Sequence, residues 1–392
     1  MKIMSINAGS SSLKFSLFNM DTKEVLLSGL FERIGIEGSC YTLEYGEYKI
    51  KNEALMETHL DAVKILMDKL LELKIVNSLE EIDGIGHRIV HGGAIYKESV
   101  VVTDKVLDDI IALSDLAPLH NPAHAMCIKA FREVLPDTPM VVVFDTAFHQ
   151  TIEKDRFLYP VPYNWYTDYQ VRKYGAHGTS HRYVAKKLQE ELGRDDLNII
   201  SCHLGNGGSI TAISCGKCVD TSMGFTPHAG IMMGTRSGDI DVSIVPYVME
   251  KEGKSAGEIM NDLNKKSGFL GISGVSSDSR DIEDGIKEGN ERCILAQKMF
   301  VNSVIKYIAQ YYVLLGHVDV IAFTAGIGEK SISTRSDIIE RLAPLGIEID
   351  PEENNVRGKF KKISSKKSSV DIYVVPTNEE LMIAEDTLNL IK

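Results

Sequence analysis

The chain has 392 residues, a net charge of −12, and 44% hydrophobic and 25% charged residues. That length is enough for two domains with cores of their own, and the acidic balance argues against general binding to nucleic acid or to a membrane surface. No apolar run approaches the roughly 18 residues that a membrane span requires. Cys215 and Cys218 have no second cysteine pair to complete a zinc site. We therefore expect a reduced, cytoplasmic protein without a signal peptide.

The first predicted elements are two strands joined by a tight turn. An apolar run ends at Asn7, the chain turns through Gly9 and three serines, and alternation resumes at Leu13. Hydroxyl, amide and ammonium donors at such a turn suit an anion. The predicted anion-binding side chains, taken here as nucleotide ligands, are Ser10, Ser12 and Lys14.

The rest of the first half predicts an α/β arrangement. We expect further strands up to about residue 51, an amphipathic helix near 56–74 and a helix near 104–115. Asn121 is expected to cap another helix, with Pro122 in its first turn. The apolar run Met140–Phe144 is typical of a buried parallel strand. It ends in Asp145, and we expect the domain boundary just after this residue.

The second half repeats this order. Paired strands are expected around 198–220, helices near 241–252 and 291–315, and buried strands at 319–324 and 370–375 before a C-terminal helix. Gly205, Gly207 and Gly208 would allow positive φ and close approach of a ligand in the second turn. One such hairpin is usually only a turn, but two favour a duplicated domain whose hairpins face each other across a cleft.

Two carboxylates are candidates for positioning Mg²⁺. Asp145 follows a buried strand, where open α/β sheets place their ligands, although a helix cap is the alternative. Thr377 and Glu380 have the spacing of a capping box, which would account for Glu380 structurally. Glu379 is not explained in that way, and we interpret it as the second metal-positioning carboxylate, directly or through water.

Two arginines lie in glycine-rich segments. A lone arginine is usually a surface residue or a salt-bridge partner, but the glycines around Arg88 and Arg236 would permit close approach of a ligand. Guanidinium groups suit carboxylate and phosphate oxygens. Nine histidines, among them His177 and His120, lie in glycine-, proline- or strand-end segments, and because no metal-binding pattern accompanies them we interpret them as donors to phosphate or as structural residues. Neither GxxxxGK(S/T) nor GxGxxG, the two common nucleotide motifs, is present. A plain turn is the default interpretation of Thr324–Glu329, and the alternative is that an adenosine lies flat on its glycine backbone.

Together these segments closely resemble the acetate kinase family, within the superfamily of acetate and sugar kinases, heat-shock chaperones and actin. The matching segments span nearly the whole chain and are Asn7–Lys14, Gly86–Gly93, Phe144–His149, Tyr174–His181, His203–Ser209, Gly234–Asp239, Thr324–Glu329 and Thr377–Glu380. The resemblance implies duplicated ribonuclease-H-like domains of the actin-like ATPase type, with mixed sheets flanked by helices and an interdomain cleft. It implies domains at 1–147 and 148–380, a C-terminal helix 381–392 that completes the first domain, and a homodimer.

The resemblance also implies the reaction ATP + acetate ⇌ ADP + acetyl phosphate with Mg²⁺, or Mn²⁺ as an alternative. Arg88 and Arg236 would flank the acetate and the transferring phosphoryl group, and His177 would contact that group. Asn7 and Glu379 would lie near the metal, with Asp145 orienting its ligands. The implied nucleotide ligands are His203, Leu204, Gly205, Asn206 and Gly207 for the phosphates, and Asp278, Ser279, Arg280, Gly326 and Ile327 for the adenosine.

The acetate methyl group would lie among Val90, Leu119 and Pro227. Some family members have an aromatic residue where this chain has Ala176, and one methylene in an apolar pocket changes binding by only about 1–3 kcal/mol. We expect direct in-line transfer, with a phosphorylated enzyme as the mechanistic alternative. The alternative functions are a kinase for propionate or another short carboxylate and an actin-like or chaperone-type ATPase. A chaperone is disfavoured because no appended peptide-binding domain is recognisable.

Overall fold

The computed structural model describes residues 1–118 and 120–392. The chain divides into a first unit, Met1–Phe148 with Asn378–Lys392, and a second unit, His149–Thr377. Among the described residues, no helix has the length and the apolar content needed to cross a bilayer.

The first unit is built on one mixed sheet. Its strands are β1 (Lys2–Ala8), β2 (Ser12–Asn19), β3 (Glu24–Glu32), β4 (Cys40–Tyr45), β5 (Tyr48–Glu53), β6 (Gly84–Ile89), β7 (Val100–Val101) and β8 (Met140–Phe144). Their order is β5-β4-β3-β2-β1-β6-β8-β7, with β1, β6 and β8 parallel to one another. All residues of β8 are buried, which confirms the prediction of a buried parallel strand.

The helices that precede β8 in this unit are α1 (His59–Glu72), α2 (Asp104–Ala112) and α3 (Asn121–Val134). Thr58 caps α1 in a capping box with Asp61. The prediction that Asn121 caps α3 is wrong, because His120 is the N-cap residue and Asn121 lies inside the helix. The Asn121 amide instead donates to the buried carbonyls of His91 and Ile110, at 3.0 and 3.3 Å, so it ties the helix to the loop after β6.

The second unit repeats the arrangement. Its strands are β9 (Asn198–Leu204), β10 (Gly208–Ser214), β11 (Lys217–Thr221), β12 (Val320–Thr324), β13 (Lys361–Lys362) and β14 (Asp371–Val374), in the order β11-β10-β9-β12-β14-β13. Its helices are α4 (Lys154–Phe157), α5 (Tyr163–Tyr169), α6 (Gly178–Leu192), α7 (Ile244–Glu252), α8 (Ala256–Lys265), α9 (Gly268–Ser273), α10 (Ser279–Lys287), α11 (Glu291–Leu315), α12 (Ala325–Lys330) and α13 (Ile332–Leu342). Short 3-10 helices occupy Leu79–Glu81, Leu113–Asp115, Ala147–Thr151 and Ala343–Leu345.

The two sheets share their central topology. In each, the first strand pairs antiparallel with the second across a hairpin and parallel with a later buried strand: β2-β1-β6-β8 in one sheet, β10-β9-β12-β14 in the other. Parallel neighbours with helical crossovers and antiparallel hairpins at one edge give a mixed sheet flanked by helices. The predicted duplicated α/β fold class is therefore confirmed.

The last helix, α14 (Glu379–Ile391), belongs to the first unit and lies on β6. Its close approach depends on two glycines of that strand. A Cβ atom on Gly84 would lie 2.6 Å from Cδ1 of Ile391, and one on Gly86 would lie 2.3 Å from Oγ1 of Thr387. The glycine before Arg88 therefore makes room for a helix and not for a ligand, which corrects the interpretation made from the sequence.

Candidate functional site

In the first unit, Arg88 is held between Asp145 and Asn7. Nε of Arg88 lies 3.2 and 3.0 Å from the two Asp145 carboxylate oxygens, and its Nη2 lies 2.5 Å from Oδ2. Nη1 donates to Oδ1 of Asn7 at 3.1 Å. Asp145 is buried and the Arg88 side chain retains 22% exposure. Three predicted residues from the ends of β1, β6 and β8 thus meet, and they fix the arginine in one orientation.

Glu379 and Glu380 open α14 beside this group. Burial raises the pKa of Glu379 to about 7; Asp145 and Glu380 act in the same direction, while Arg88 and Lys14 oppose it. Glu380 accepts a hydrogen bond from the Lys14 ammonium. The predicted capping box is wrong, because Asn378 caps α14 by accepting from the backbone N–H of Leu381 at 3.0 Å.

The oxygen donors of this group suit a hard divalent cation. Asn7 and Glu379 supply an amide and a carboxylate oxygen, the ligand types that Mg²⁺ takes. The Asp145 carboxylate is already engaged by Arg88, so it can orient but is poorly placed to ligate as well. Among the described residues no cluster of three or more acidic, histidine or cysteine side chains forms a metal cage. The arrangement fits an ion that keeps water and substrate oxygens in its coordination sphere.

The remaining residues predicted in the first unit are spread around this group. Ser10 is exposed and Ser12 is half-buried at the β1–β2 turn. Val90 is buried, and its N–H donates to Nδ1 of His124 at 3.4 Å. Burial lowers the pKa of His124 to about 3, and the charges of Arg88 and His120 act in the same direction. Leu119 lies outside the described residues.

In the second unit, His177 and Arg236 converge on one glycine. A Cβ atom built on Gly207 would lie 3.6 Å from Nη1 of Arg236 and 3.7 Å from Nε2 of His177. Nη1 also donates to the carbonyl oxygen of Pro227 at 3.2 Å. Among the described residues no carboxylate pairs with Arg236: burial alone lowers its pKa, and its other hydrogen-bond acceptor is the sulfur of Met233. Its side chain is half-buried. A half-buried cation without a counter-ion is a strong anion-binding group.

His177 has an unusual backbone. It is the N-cap of α6 with φ 57°, in the left-handed region that a non-glycine residue rarely adopts. Its ring stacks on that of His203, with centroids 4.1 Å apart, and Nδ1 of His203 lies 2.8 Å from Oγ of Ser180. Such strain persists where the surrounding structure fixes it, and it is concentrated at functional sites.

The prediction that the glycines of the second hairpin adopt positive φ is wrong. None of Gly205, Gly207 and Gly208 has positive φ among the described residues. Gly208 instead accommodates the side chain of Ile231, 2.7 Å from the position of a Cβ atom. Near Arg236, a Cβ atom on Gly234 would lie 1.6 Å from Oδ1 of Asn206. These glycines let the Asn206 turn pack against the segment that carries Arg236.

A cavity of about 500 Å³ lies beside this turn. Seven residues predicted for the nucleotide line it: Gly205, Asn206, Asp278, Ser279, Arg280, Gly326 and Ile327. A Cβ atom on Gly326 would meet nothing within 4 Å, so this glycine borders open space as an adenosine platform requires. Asp278 caps α10 and pairs with Arg280, and that hydrogen bond lowers the pKa of Asp278 to about 2. His203 and Leu204 are buried at the end of β9.

The sequence analysis missed the other residues of this cavity. They are Ser277, Glu283, Lys330, Ser331 and Arg357. Arg357 begins a basic stretch of the sequence, and its Nη1 donates to the carbonyl oxygen of Lys330 at 2.7 Å. Lys330 follows the predicted adenosine turn directly. Proximity to that turn was the available signal for Lys330, whereas only the fold brings Arg357 to the cavity.

Comparison with known proteins gives the same assignment. The acetokinase family model matches residues 2–385. The acetate kinase of Bacillus subtilis (strain 168) is 53% identical over 393 residues, covering 100% of both chains. Among solved structures, Porphyromonas gingivalis acetate kinase is 44% identical with a TM-score of 0.96 over 100% of both chains. A propionate kinase from Francisella tularensis subsp. tularensis SCHU S4 is 43% identical with a TM-score of 0.94 over 99% of both chains.

The fold and these similarities define a kinase, a phosphotransferase with a carboxyl group as acceptor, for which ATP is a substrate and a divalent metal takes part. The chain belongs to the acetokinase family.

Proposed function

We propose that this protein is a Mg²⁺-dependent acetate kinase that reversibly transfers the γ-phosphoryl group of ATP to acetate, giving acetyl phosphate and ADP. The observation that carries this proposal is the convergence of His177 and Arg236 on Gly207, beside a cavity sized for a nucleotide. The acetate kinase relatives, 53% identical over the full chain, support acetate as the acceptor.

The first unit would bind the acid. Arg88 has five N–H groups, and Asp145 and Asn7 account for three of them. The remaining two could donate to a substrate carboxylate, with Val90 as an apolar neighbour for its methyl group. Since the carboxylate is already a nucleophile, no general base is required, and orienting it is the main contribution of these residues.

Asn7 and Glu379 would hold Mg²⁺ in this unit. The ion would neutralise charge on the phosphate oxygens and so reduce their repulsion of the incoming carboxylate. Because the Asp145–Arg88 pair lies beside these ligands, it would keep Asn7 in place through the hydrogen bond from Arg88.

The second unit would bind the nucleotide. The residues of the 500 Å³ cavity would take the adenosine, and the turn 205–208 would hold phosphates. His177 and Arg236 would then donate to the transferring phosphoryl group, whose charge is spread over its equatorial oxygens. We propose a single in-line transfer. Inversion at a chirally labelled γ-phosphorus is expected, and net retention would exclude it.

A hydroxamate assay tests the function directly. Protein, ATP and Mg²⁺ are incubated with formate, acetate, propionate or butyrate, and hydroxylamine traps any acyl phosphate. We expect acetate to give the highest kcat/KM, and ADP release to depend on the acid. ATP hydrolysis that is indifferent to every acid would instead favour an actin-like or chaperone-type ATPase.

A propionate kinase is the second candidate. The solved propionate kinase with 43% identity favours it, as does the small side chain of Ala176, which is buried beside Met223 and Met233. Propionate turned over with a higher kcat/KM than acetate in the same assay would decide for this alternative.

We also propose a homodimer. The helix α7 has no buried residue although it contains Ile244 and Tyr247, and α5 has none although it contains Trp165. Apolar side chains exposed on whole helices are typical of an interface. Light scattering after size exclusion should give twice the chain mass of 43.4 kDa. A monomer mass at micromolar concentration would contradict this proposal.

A further inference from the structure

A chain of buried hydrogen bonds ends on His177. Oγ of Ser201 lies 2.8 Å from Nδ1 of His181, whose Nε2 lies 2.7 Å from Oγ of Ser209. That hydroxyl oxygen lies 3.0 Å from Nδ1 of His177. Ser201, His181 and Ser209 are all 0% exposed. We infer that this chain holds His177 as the neutral tautomer with its proton on Nε2, so that Ser209, His181 and Ser201 are positioning residues for phosphoryl transfer.

The direction of the chain follows from counting protons. A serine hydroxyl has one proton, and a neutral imidazole has one donor and one acceptor nitrogen. If Ser201 donates to Nδ1 of His181, then His181 donates from Nε2 to Ser209, and Ser209 donates to Nδ1 of His177. Every link then has one donor and one acceptor. Nδ1 of His177 is thereby an acceptor, and the ring proton of the neutral form is on Nε2.

The opposite direction leaves a buried donor without a partner. His177 would donate from Nδ1 to Ser209, which would donate to His181, and His181 would donate to Ser201. The Ser201 hydroxyl proton would then need another acceptor. Among the described residues of the protein, the only hydrogen-bond partner of this hydroxyl is the His181 ring. A fully buried hydroxyl without an acceptor is unfavourable.

The surroundings keep His181, in the middle of the hydrogen-bond chain, neutral. Burial lowers the pKa of His181 well below its usual value, and the neighbouring rings of His203 and His149 act in the same direction. A neutral His181 can pass on only one proton, which the counting above requires.

The tautomer matters because of where Nε2 lies. This nitrogen is 3.7 Å from a Cβ position on Gly207, and Nη1 of Arg236 is 3.6 Å from the same position. A proton on Nε2 makes His177 a donor to phosphoryl oxygen without a second positive charge beside the arginine. The inference rests on the proposed function and adds how His177 acquires its donor role.

Ring nitrogen spectra test the tautomer without turnover. In protein labelled with ¹⁵N in histidine, His177 should show an unprotonated Nδ1 and a protonated Nε2, with the signal assigned by its loss in His177→Gln. Ser209→Ala should move both nitrogens toward the values of exchanging tautomers. A protonated Nδ1 in neutral wild-type His177 would overturn the inference, and this result would hold whether or not acetate proves to be the substrate.

Kinetics supply the second test. Ser209→Ala should lower kcat about three- to tenfold, the effect of one hydrogen bond, with KM for acid and ATP nearly unchanged. In the His177→Gln background the same substitution should have no further effect, since the residue acts through His177. An undiminished loss in that background would overturn the inference.

Two further variants guard against a purely structural effect. Thr211→Val removes a buried hydroxyl of β10, the strand that also contains Ser209. The hydrogen bond of Thr211 to Oγ1 of Thr221, at 2.8 Å, is not part of the hydrogen-bond chain that leads to His177. This variant should leave kcat and the His177 spectrum unchanged. Ser201 does not contact His177, yet Ser201→Ala should still disturb the tautomer of His177 through His181 and Ser209. The spectrum of this variant replaces the main test if Ser209→Ala does not fold. A wild-type His177 spectrum in Ser201→Ala would contradict the proposed direction.

Discussion

The substitution Gly207→Ala should impair the candidate site without changing the stability of the fold. Gly207 does not have positive φ, so alanine is compatible with the backbone. The added Cβ atom would lie 3.6 Å from Arg236 Nη1 and 3.7 Å from His177 Cε1 and Nε2, which are ordinary contact distances. A phosphoryl oxygen bound by both nitrogens would lie about 2.9 Å from each. In the proposed function this oxygen lies against Gly207, so the methyl group would occupy the space that it requires.

The expected result is a fall in kcat of about 10²-fold, the size of a lost transition-state donor or of a misplacement of about 1 Å. That corresponds to about 2.7 kcal/mol in the activation barrier. Thermal stability should stay at the wild-type value, since no neighbour has to move. Steady-state kinetics with both substrates and a melting curve on the same samples measure the two effects.

Gly257→Ala is the matched control. Gly257 lies in the exposed helix α8, and a Cβ atom there would meet only Oγ of Ser255, at 4.0 Å. This change should leave kcat unchanged and stabilise the helix by less than about 1 kcal/mol, the value for a helix interior, because Gly257 lies in the first turn. Wild-type kcat in Gly207→Ala would refute the reasoning, because it would mean that no reacting group occupies the point between Arg236 and His177.

Two further predictions compare charged groups. Arg236→Ala should lower kcat with little change in melting temperature. Arg88→Ala should raise KM for the acid and destabilise the protein by about 3–5 kcal/mol, because buried Asp145 loses its partner. Equal melting temperatures for the two variants would contradict this prediction. The raised pKa of Glu379 means that the folded state binds its proton more tightly than the unfolded state, so this group reduces stability as pH rises from about 4.5 to about 7. Glu379→Gln should therefore melt progressively higher than wild type from pH 5 to pH 8 without metal, and Mg²⁺ should narrow the gap at pH 8. A constant difference across that range would show that Glu379 is not the titrating group.

The fold could be predicted from the sequence because its signals are local. The apolar runs of β8 and β12 and the repeated hairpins depend on neighbouring residues alone. The glycines could not be interpreted in this way. Gly86 accommodates α14 and Gly234 accommodates Asn206, so their roles depend on residues far away in the chain.

The partners of charged side chains could not be predicted from the sequence either. Arg335 gave no sequence signal, yet it is fully buried and donates to the carbonyl oxygens of Gly328, Asn354 and Val356. It thereby ties the turn 324–329 to the loop before Arg357. Lys14 had a clear signal as an anion ligand, but the structure pairs it with Glu380. Counter-ions and carbonyl partners are chosen by tertiary structure, and a single sequence does not contain them.

The charges of the first unit would give a metal bound there a role in acid binding. The charged group at Arg88 has two cations and three carboxylates. The cations are Arg88 and Lys14, and the carboxylates are those of Asp145, Glu379 and Glu380. Above the pKa of Glu379 this group has a net negative charge, so it would repel a second carboxylate despite the open N–H groups of Arg88. A divalent cation held by Asn7 and Glu379, as proposed above, would make the net charge of this group positive and would lower the pKa of Glu379. Acid binding should therefore strengthen with divalent metal, and more so at pH 8 than at pH 6, where Glu379 is largely protonated and the repulsion is smaller.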